Sequence, residues 1–175
     1  WLDGRDANDT TLEDAHKELQ GILNSTDSDA LSYFEYTTLL SMLVYKECEY
    51  VVMEAGLGGE NYATAVFDKV LTLVTPISYD HAAFLGDTIK AIDSQKLNAI
   101  QNSAILATQK KMEVYDVADS LAASKSLNIK RLSQMLGASD ELKIANITKR
   151  LQLENYLAQN LSLAISALKF LNIEY

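Results

Sequence analysis

The sequence is poor in the residues that build disulfides, metal clusters and cationic surfaces. It has one cysteine, two histidines, and 15 lysines and arginines against 24 acidic residues, which gives a formal net charge of −9. The lone Cys48 excludes an internal disulfide or a thiolate metal cluster and fits a reducing compartment. Because no basic residues cluster beyond pairs, the acidic balance argues against nucleic acids and anionic membranes as partners.

Long hydrophobic runs are also missing. No run reaches the roughly 18 apolar residues of a membrane span, and no basic-then-apolar signal segment opens the chain, so we expect a cytoplasmic protein. The 175 residues, 48% of them hydrophobic, suffice for one domain with a substantial core. The chain opens on Trp1 instead of Met, which favours a fragment or a processed product.

Several apolar runs predict a parallel sheet. Residues 50–53 and 70–75 are continuous, β-branched-rich runs, and they end at Glu54 with a glycine-rich turn and at Asp80-His81 respectively. Continuous runs separated by enough chain for a crossover are typical of buried parallel strands. Residues 104–107 and 129–132 are predicted as further strands, and residues 142–147 as an additional one.

Between these strands the sequence has helical periodicity. Capping-box patterns at Thr10, Thr11 and Ser32 precede two of the predicted helices, and residues 24–30 are predicted to be a polar loop. The alternation of helices and strands predicts an α/β fold with a mainly parallel sheet and helices on both faces. The predicted helices lie at about residues 10–24, 32–46, 87–97, 110–126 and 153–171.

Polar residues at the predicted strand ends are candidates for chemistry. Ligands of open α/β sheets bind at the carboxyl ends of the strands, so Glu54 and His81 are predicted to share one rim. Glu54 can reach a Mg²⁺ ion on nucleotide phosphates, or it can accept backbone N–H bonds from the glycine turn. His81 can ligate a metal or serve as a hydrogen-bonded rim residue. Gly56, Gly58 and Gly59 suggest positive φ or close backbone approach to a ligand.

Lys96 stands out on its predicted helix. It follows Ile92 and Ile89 at helical spacing and so continues an apolar stripe. A lysine in such a place either extends its ammonium group to the surface or is buried for a reason. A buried amine becomes nucleophilic and can react with carbon dioxide to form a carbamate, a negatively charged metal ligand. Both interpretations remain open.

Two motifs carry a family resemblance. The chain reads VVMEAGLGG over residues 51–59 and SYDHAAFLGDT over residues 78–88, and Lys96 follows. These segments resemble Val-Leu-Glu-Val-Gly-Leu-Gly-Gly, Leu-Asp-His-x-x-x-Leu-Gly-Asp-Thr and the Lys-Ala-Gly-Ile block of the folylpolyglutamate synthase/dihydrofolate synthase family, which are Mur-type amide ligases. The resemblance is continuous over residues 34–100. A weaker one, Asn160-Leu-Ser-Leu-Ala, is similar to the family's adenine-contacting helix.

The resemblance implies a fold, a reaction and a set of site residues. The fold would be the Mur ligase central domain, which is P-loop NTPase-like. The reaction would add L-glutamate to folate, to dihydropteroate or to both, in an ATP-dependent carbon–nitrogen ligation through an acyl phosphate. Glu54 and His81 would hold Mg²⁺, carbamylated Lys96 would bind a second metal ion, and the three glycines and Asn160 would contact the nucleotide. Partners would be these small molecules, and the full-length protein would be a monomer.

The chain also departs from the family. Glu60 stands where relatives carry Arg, and Tyr62 stands where they carry the Asp associated with pteroate binding. The family's P-loop and its C-terminal Rossmann-like domain have no counterpart, so we expect residues 1–175 to be a partial central ATP-binding domain that is inactive alone. Two alternatives are another Mur-type ligase, acting in cell-wall or amino-acid polymer synthesis, and a non-catalytic interaction domain that retains the fold.

Overall fold

The structure of the protein is a computed structural model that describes residues 1–56, 59–60, 62–77 and 95–175. The chain divides into two compact units, Trp1–Ala55 and Gly56–Tyr175. Within the described ranges, no helix combines the length and the apolar character needed to cross a membrane.

The first unit contains three helices, α1 (Asp9–Ile22), α2 (Ser25–Ala30) and α3 (Tyr33–Val44). Ser32 begins α3 with a complete capping box, in which its hydroxyl accepts from the Glu35 N–H and the Glu35 carboxylate accepts from the Ser32 N–H. The caps predicted for α1 are wrong, because the side chain of Asn8 accepts from the Thr11 N–H at 2.8 Å and begins the helix earlier. The predicted polar loop at 24–30 is also wrong. An equivalent bond, from the Asp27 N–H to the Asn24 side chain, caps α2 there.

Helices α1 and α3 pack against each other. Ala15 and Leu19, four residues apart on one face of α1, are buried. On the same helix the His16 Nδ1 atom lies 2.8 Å from the Tyr36 hydroxyl of α3. The histidine is therefore half-buried and links the two helices.

The strand predicted at residues 50–53 does not form. The segment pairs with no strand among the residues that the structure describes, and the Val52 side chain is 93% exposed. Apolar, β-branched composition stabilises a strand only when a neighbouring strand and a core cover it. The run has the composition of a strand, but the first unit supplies no neighbouring strand to pair with it and no core to bury it.

The second unit is built on a parallel sheet in the order β1 (Thr72–Val74), β2 (Ser103–Leu106) and β3 (Asn128–Arg131). These strands confirm the predictions at 70–75, 104–107 and 129–132. Short 3₁₀ turns occupy Ala63–Val66 and Leu132–Gln134. In the described part of this unit three long helices follow β2, namely α4 (Met112–Lys125), α5 (Ala138–Leu151) and α6 (Asn155–Phe170).

Helices cover both faces of this sheet, as predicted. Successive side chains of a strand point to opposite faces. Leu106 belongs to a buried cluster with Val114 of α4, whereas Ile105 belongs to another cluster with Leu163 of α6. The continuous apolar run in β2 therefore reflects burial on both sides.

The strand predicted at 142–147 is wrong, because these residues lie inside α5. The alternation Leu-Lys-Ile imitates strand periodicity over a few residues. The burial pattern is helical, with Asp140 and Ile144 buried four residues apart and Leu142 64% exposed. Of the helix predicted at 87–97, residues 95–97 are helical and the rest lies outside the described residues.

Candidate functional site

The carboxyl ends of β1 and β2 meet at one edge of the sheet, as parallel strands must. Val74 pairs with Leu106 in the ladder, and the Ala107 N–H donates to the Val74 carbonyl at 2.9 Å. Beyond this point the side chain of Gln109, which is 8% exposed, joins the two exits. Its Oε1 accepts from the Ile77 N–H at 2.8 Å, and its Nε2 donates to the Ala107 carbonyl at 2.9 Å. The buried Gln109 amide thus hydrogen-bonds to the backbone beyond the last ladder hydrogen bond between β1 and β2.

Sequence reasoning missed Gln109. Gln109 belongs to no motif, although two polar residues, Thr108 and Gln109, follow the buried run at 104–107, much as Asp80-His81 follows the run at 70–75. The rule that ligands bind at the carboxyl edge applies equally to both strand ends.

Two of the predicted site residues, Gly59 and Lys96, are neighbours in the second unit. Gly59 has φ +154°, and a Cβ atom placed on it would lie 2.8 Å from the Ala99 Cβ and 3.7 Å from the backbone oxygens of Gln95 and Lys96. The glycine therefore packs directly on the turn that carries Lys96. The lysine itself is half-buried, as a continued apolar stripe would require.

Gly56 also lies close to a side chain of the protein. A Cβ atom there would lie 2.5 Å from the Tyr62 hydroxyl oxygen. Protein packing therefore accounts for Gly59 without a ligand. At Gly56 the neighbouring hydroxyl is the end of a flexible side chain and can move, and Gly58 lies outside the described residues. Contact of these glycines with a nucleotide remains a prediction.

The departures from the family motif have partners of their own. The Asn98 Nδ2 donates to the Glu60 carboxylate at 3.0 Å, and the Lys125 Nζ of α4 donates to the Asn98 Oδ1 at 3.3 Å. Asn98 lies two residues after Lys96. Glu60 thus connects the glycine-rich segment to the same turn that Gly59 contacts.

The remaining predicted site residues lie on other elements or outside the described ranges. Glu54 lies in the first unit, where its side chain is exposed and hydrogen-bonds to no residue that the structure describes. Asn160 is exposed on α6, and His81 lies outside the described residues. Across residues 1–56, 59–60, 62–77 and 95–175, no three His, Cys, Asp or Glu side chains are grouped to hold a metal ion.

Asp140 and Lys69 of the second unit are among the groups whose pKa is shifted. The Gly137 N–H, the Lys169 ammonium and the Tyr175 hydroxyl all donate to Asp140 and hold the pKa of its carboxyl well below its usual range. Burial lowers the pKa of Lys69, whose Nζ donates to backbone carbonyls at 3.3 and 3.4 Å. Asp140 joins α5 to α6, and Lys69 precedes β1 at the opposite edge of the sheet, so both have structural partners.

Known proteins resemble this chain in sequence over about half its length. It is 36% identical over 86 residues to the dihydrofolate synthase/folylpolyglutamate synthase of Haemophilus influenzae, a match that covers 48% of this chain and 20% of that protein. The corresponding protein of Bacillus subtilis is 31% identical over 102 residues, which cover 57% of this chain and 24% of that protein. The chain thus spans about a fifth to a quarter of these relatives. No protein-family model matches it.

Solved structures extend the resemblance. A crystal structure of Helicobacter pylori folylpolyglutamate synthetase matches with a TM-score of 0.79 and 33% identity, over 94% of this chain and 40% of that one. Folylpolyglutamate synthase of Mycobacterium tuberculosis, solved in complex with ADP, matches with a TM-score of 0.64 and 25% identity, over 74% of this chain and 32% of that one.

A parallel sheet covered by helices on both faces, matched at this level, defines a Mur ligase-type α/β fold. Within that class, the chain is similar to the dihydrofolate synthases/folylpolyglutamate synthases. This similarity confirms the family resemblance that the motifs at residues 51–59 and 78–88 indicated.

Proposed function

We propose that this chain acts in the ATP-dependent ligation of L-glutamate to folate, to dihydropteroate or to both. In this reaction the substrate carboxylate takes the γ-phosphoryl group of ATP and releases ADP. The glutamate amine then attacks the acyl phosphate, forms the amide and releases inorganic phosphate. The observation that carries the proposal is the match to Helicobacter pylori folylpolyglutamate synthetase over 94% of the chain. The ADP complex of the Mycobacterium tuberculosis relative supports ATP as the phosphoryl donor.

Glu54 fits a role as a Mg²⁺ ligand. Its carboxylate is exposed and makes no hydrogen bond to a described residue, so its oxygens remain available. Mg²⁺ prefers oxygen ligands and commonly takes one or two carboxylates, with waters and substrate phosphates completing its shell. When bound, the ion offsets charge on the transferring phosphoryl group. His81 is proposed as a second ligand from its position in the family motif alone.

Lys96 is proposed to carry a carbamate. Its half-burial and its place on a packed turn beside Gly59 limit the freedom of the side chain. Carbamylation would replace a cation with an oxygen ligand, which suits a site that must hold Mg²⁺. Gly56, Gly58, Gly59 and Asn160 are proposed to contact the nucleotide.

The direct test is a ligation assay on the full-length protein that carries this sequence. With ATP, Mg²⁺ and radiolabelled L-glutamate, we expect labelled product from folate or from dihydropteroate, with one ADP released per glutamate added. If neither folate nor dihydropteroate yields labelled product, the protein is not a folate ligase. ADP release with another carboxylate acceptor would identify a different Mur-type ligase. Absence of any coupled ADP release would favour the non-catalytic interaction domain.

Two matched pairs of variants test the residue roles. Glu54→Gln removes the charge at nearly constant shape and should abolish ligation, whereas Glu49→Gln, at another exposed acid nearby, should leave it intact. Lys96→Arg cannot be carbamylated and should abolish turnover, whereas Lys110→Arg should not. Wild-type activity should also rise with added bicarbonate. Normal turnover by Glu54→Gln or Lys96→Arg would contradict the assigned role.

A further inference from the structure

The side chain of Gln109 has a structural position that no sequence motif predicted. It is buried at the carboxyl edge of the sheet, between the segment that leaves β1 and the segment that leaves β2. Ile77 and Ala107, the residues that it joins, are 6% and 2% exposed. These groups are shielded from water, so their backbone N–H and C=O depend on protein partners.

The chain after β1 needs this partner for a chemical reason. Pro76 follows Thr75 and has no N–H, so the ladder with β2 cannot continue through it. The Gln109 amide offers one acceptor and two donors. The acceptor takes the Ile77 N–H, and the donors reach the Ala107 carbonyl at 2.9 Å and the Thr75 carbonyl at 3.4 Å. One side chain thus fixes the residues on both sides of the proline.

Gln109 is itself held in place. Its backbone N–H donates to the Tyr115 hydroxyl of α4 at 2.9 Å. The Arg131 guanidinium, at the end of β3, stacks 4.6 Å from the centre of the Tyr115 ring and donates to Asp119 at 2.9 Å. The exits of all three strands are therefore connected at one edge, the edge at which ligands bind in open α/β sheets.

We infer, on the basis of the proposed ligase function, that Gln109 is a positioning residue for the reaction. It fixes the backbone at Thr75 and Ile77, on both sides of Pro76, and the proposed ligand His81 follows Ile77 by four residues in the sequence. Misplacement of reacting groups by about 1 Å can cost roughly 100-fold in rate, so a rigid exit from β1 has a kinetic consequence. Gln109 does not have to touch the substrate for this effect.

Gln109→Met keeps the length of the side chain and removes its hydrogen bonds. We expect kcat to fall by roughly 10- to 100-fold under conditions where the variant is fully folded. Leu163→Ala, in the core on the face covered by α6, is the matched control. It should lower the melting temperature by a similar amount without changing kcat. If Gln109→Met loses stability but keeps kcat and KM within twofold of the wild type, the inference is overturned.

Gln109→Glu provides a second readout. As a carboxylate it still accepts from the Ile77 N–H but repels the Ala107 and Thr75 carbonyls, whereas its protonated form donates to Ala107 as glutamine does. Burial raises the pKa of a carboxyl, so protonation should begin near neutral pH. Among the described residues, the Tyr115 hydroxyl of α4 accepts from the Gln109 backbone N–H, and Arg131 of β3 lies over the Tyr115 ring. We expect kcat of Gln109→Glu relative to the wild type to rise at least fivefold between about pH 8 and about pH 6.

A constant ratio across that range would overturn the positioning role. The wild-type protein separates this inference from the proposed function. If it ligates and the Gln109 variants ligate equally well, only the inference fails. If the wild-type protein does not ligate glutamate, the proposed function fails and this inference fails with it.

Discussion

Replacing Gly59 with alanine should destabilise the second unit for two separable reasons. The new Cβ would lie 2.8 Å from the Ala99 Cβ, and the backbone at residue 59 has φ +154°, which L-residues rarely adopt. Forcing a methyl group into a packed region costs about 1–3 kcal/mol, and an unfavourable backbone conformation costs a further ~1–3 kcal/mol. We therefore expect Gly59→Ala to lower the free energy of unfolding by about 2–6 kcal/mol. Urea denaturation followed by circular dichroism measures this loss.

Two further variants show whether this reasoning is correct. Gly21→Ala lies within α1, where a Cβ would meet nothing within 4 Å, and should stabilise the protein by about 0.5–1 kcal/mol. In an Ala99→Gly background the steric clash disappears, so Gly59→Ala should cost only the backbone strain. A Gly59→Ala variant as stable as the wild type would refute the whole account. An equal cost in both backgrounds would refute its steric part.

Three other predictions test other parts of the fold. Asp140 has a depressed pKa in the folded state, so its stabilising contribution is present above the unfolded pKa of about 4 and is lost as the pH falls further. The melting-temperature gap between the wild type and Asp140→Asn should accordingly be full at pH 6 and close on acidification; a gap independent of pH would contradict it. Ile105→Ala, at a fully buried side chain, should cost about 2–5 kcal/mol in urea denaturation, whereas Ile22→Ala, 66% exposed, should cost less than about 0.5 kcal/mol. Ser32→Ala removes the capping box of α3 and should cost about 1 kcal/mol, with faster amide exchange at the first turn; unchanged exchange would argue against the cap.

The parallel sheet could be predicted because its strands are buried on both faces. Such strands read as continuous apolar runs, and β2 shows why, since Ile105 and Leu106 belong to different cores. The same signal failed at residues 50–53. A continuous apolar run indicates that a segment is stabilised by burial. It does not indicate whether a neighbouring strand is present to pair with it. At residues 142–147 the run was too short to distinguish the two periods.

The candidate site was predictable where a residue type has a narrow physical role. A lysine on an apolar stripe is rare enough to single out Lys96, and the structure makes it half-buried. The glycines were less informative, because close approach to protein and close approach to a ligand place the same demand on the backbone. Only coordinates could assign the contact of Gly59 to Ala99 and that of Gly56 to Tyr62. Gln109 was missed because a glutamine carries no motif, and its importance depends on Pro76 interrupting a ladder in three dimensions.

The departures from the family motif bear on whether the glycine-rich segment keeps its geometry. Glu60 replaces a cation, yet its carboxylate accepts from Asn98, a residue that itself departs from the family's Lys-Ala-Gly-Ile block. Asn98 in turn accepts from the Lys125 ammonium group, so Asn98 links the negative charge of Glu60 to the positive charge of Lys125. Changes that had accumulated without constraint would have no reason to be complementary across 38 residues of sequence. The pairing therefore supports a glycine-rich segment that is held against the turn after Lys96, where Gly59 also packs on Ala99.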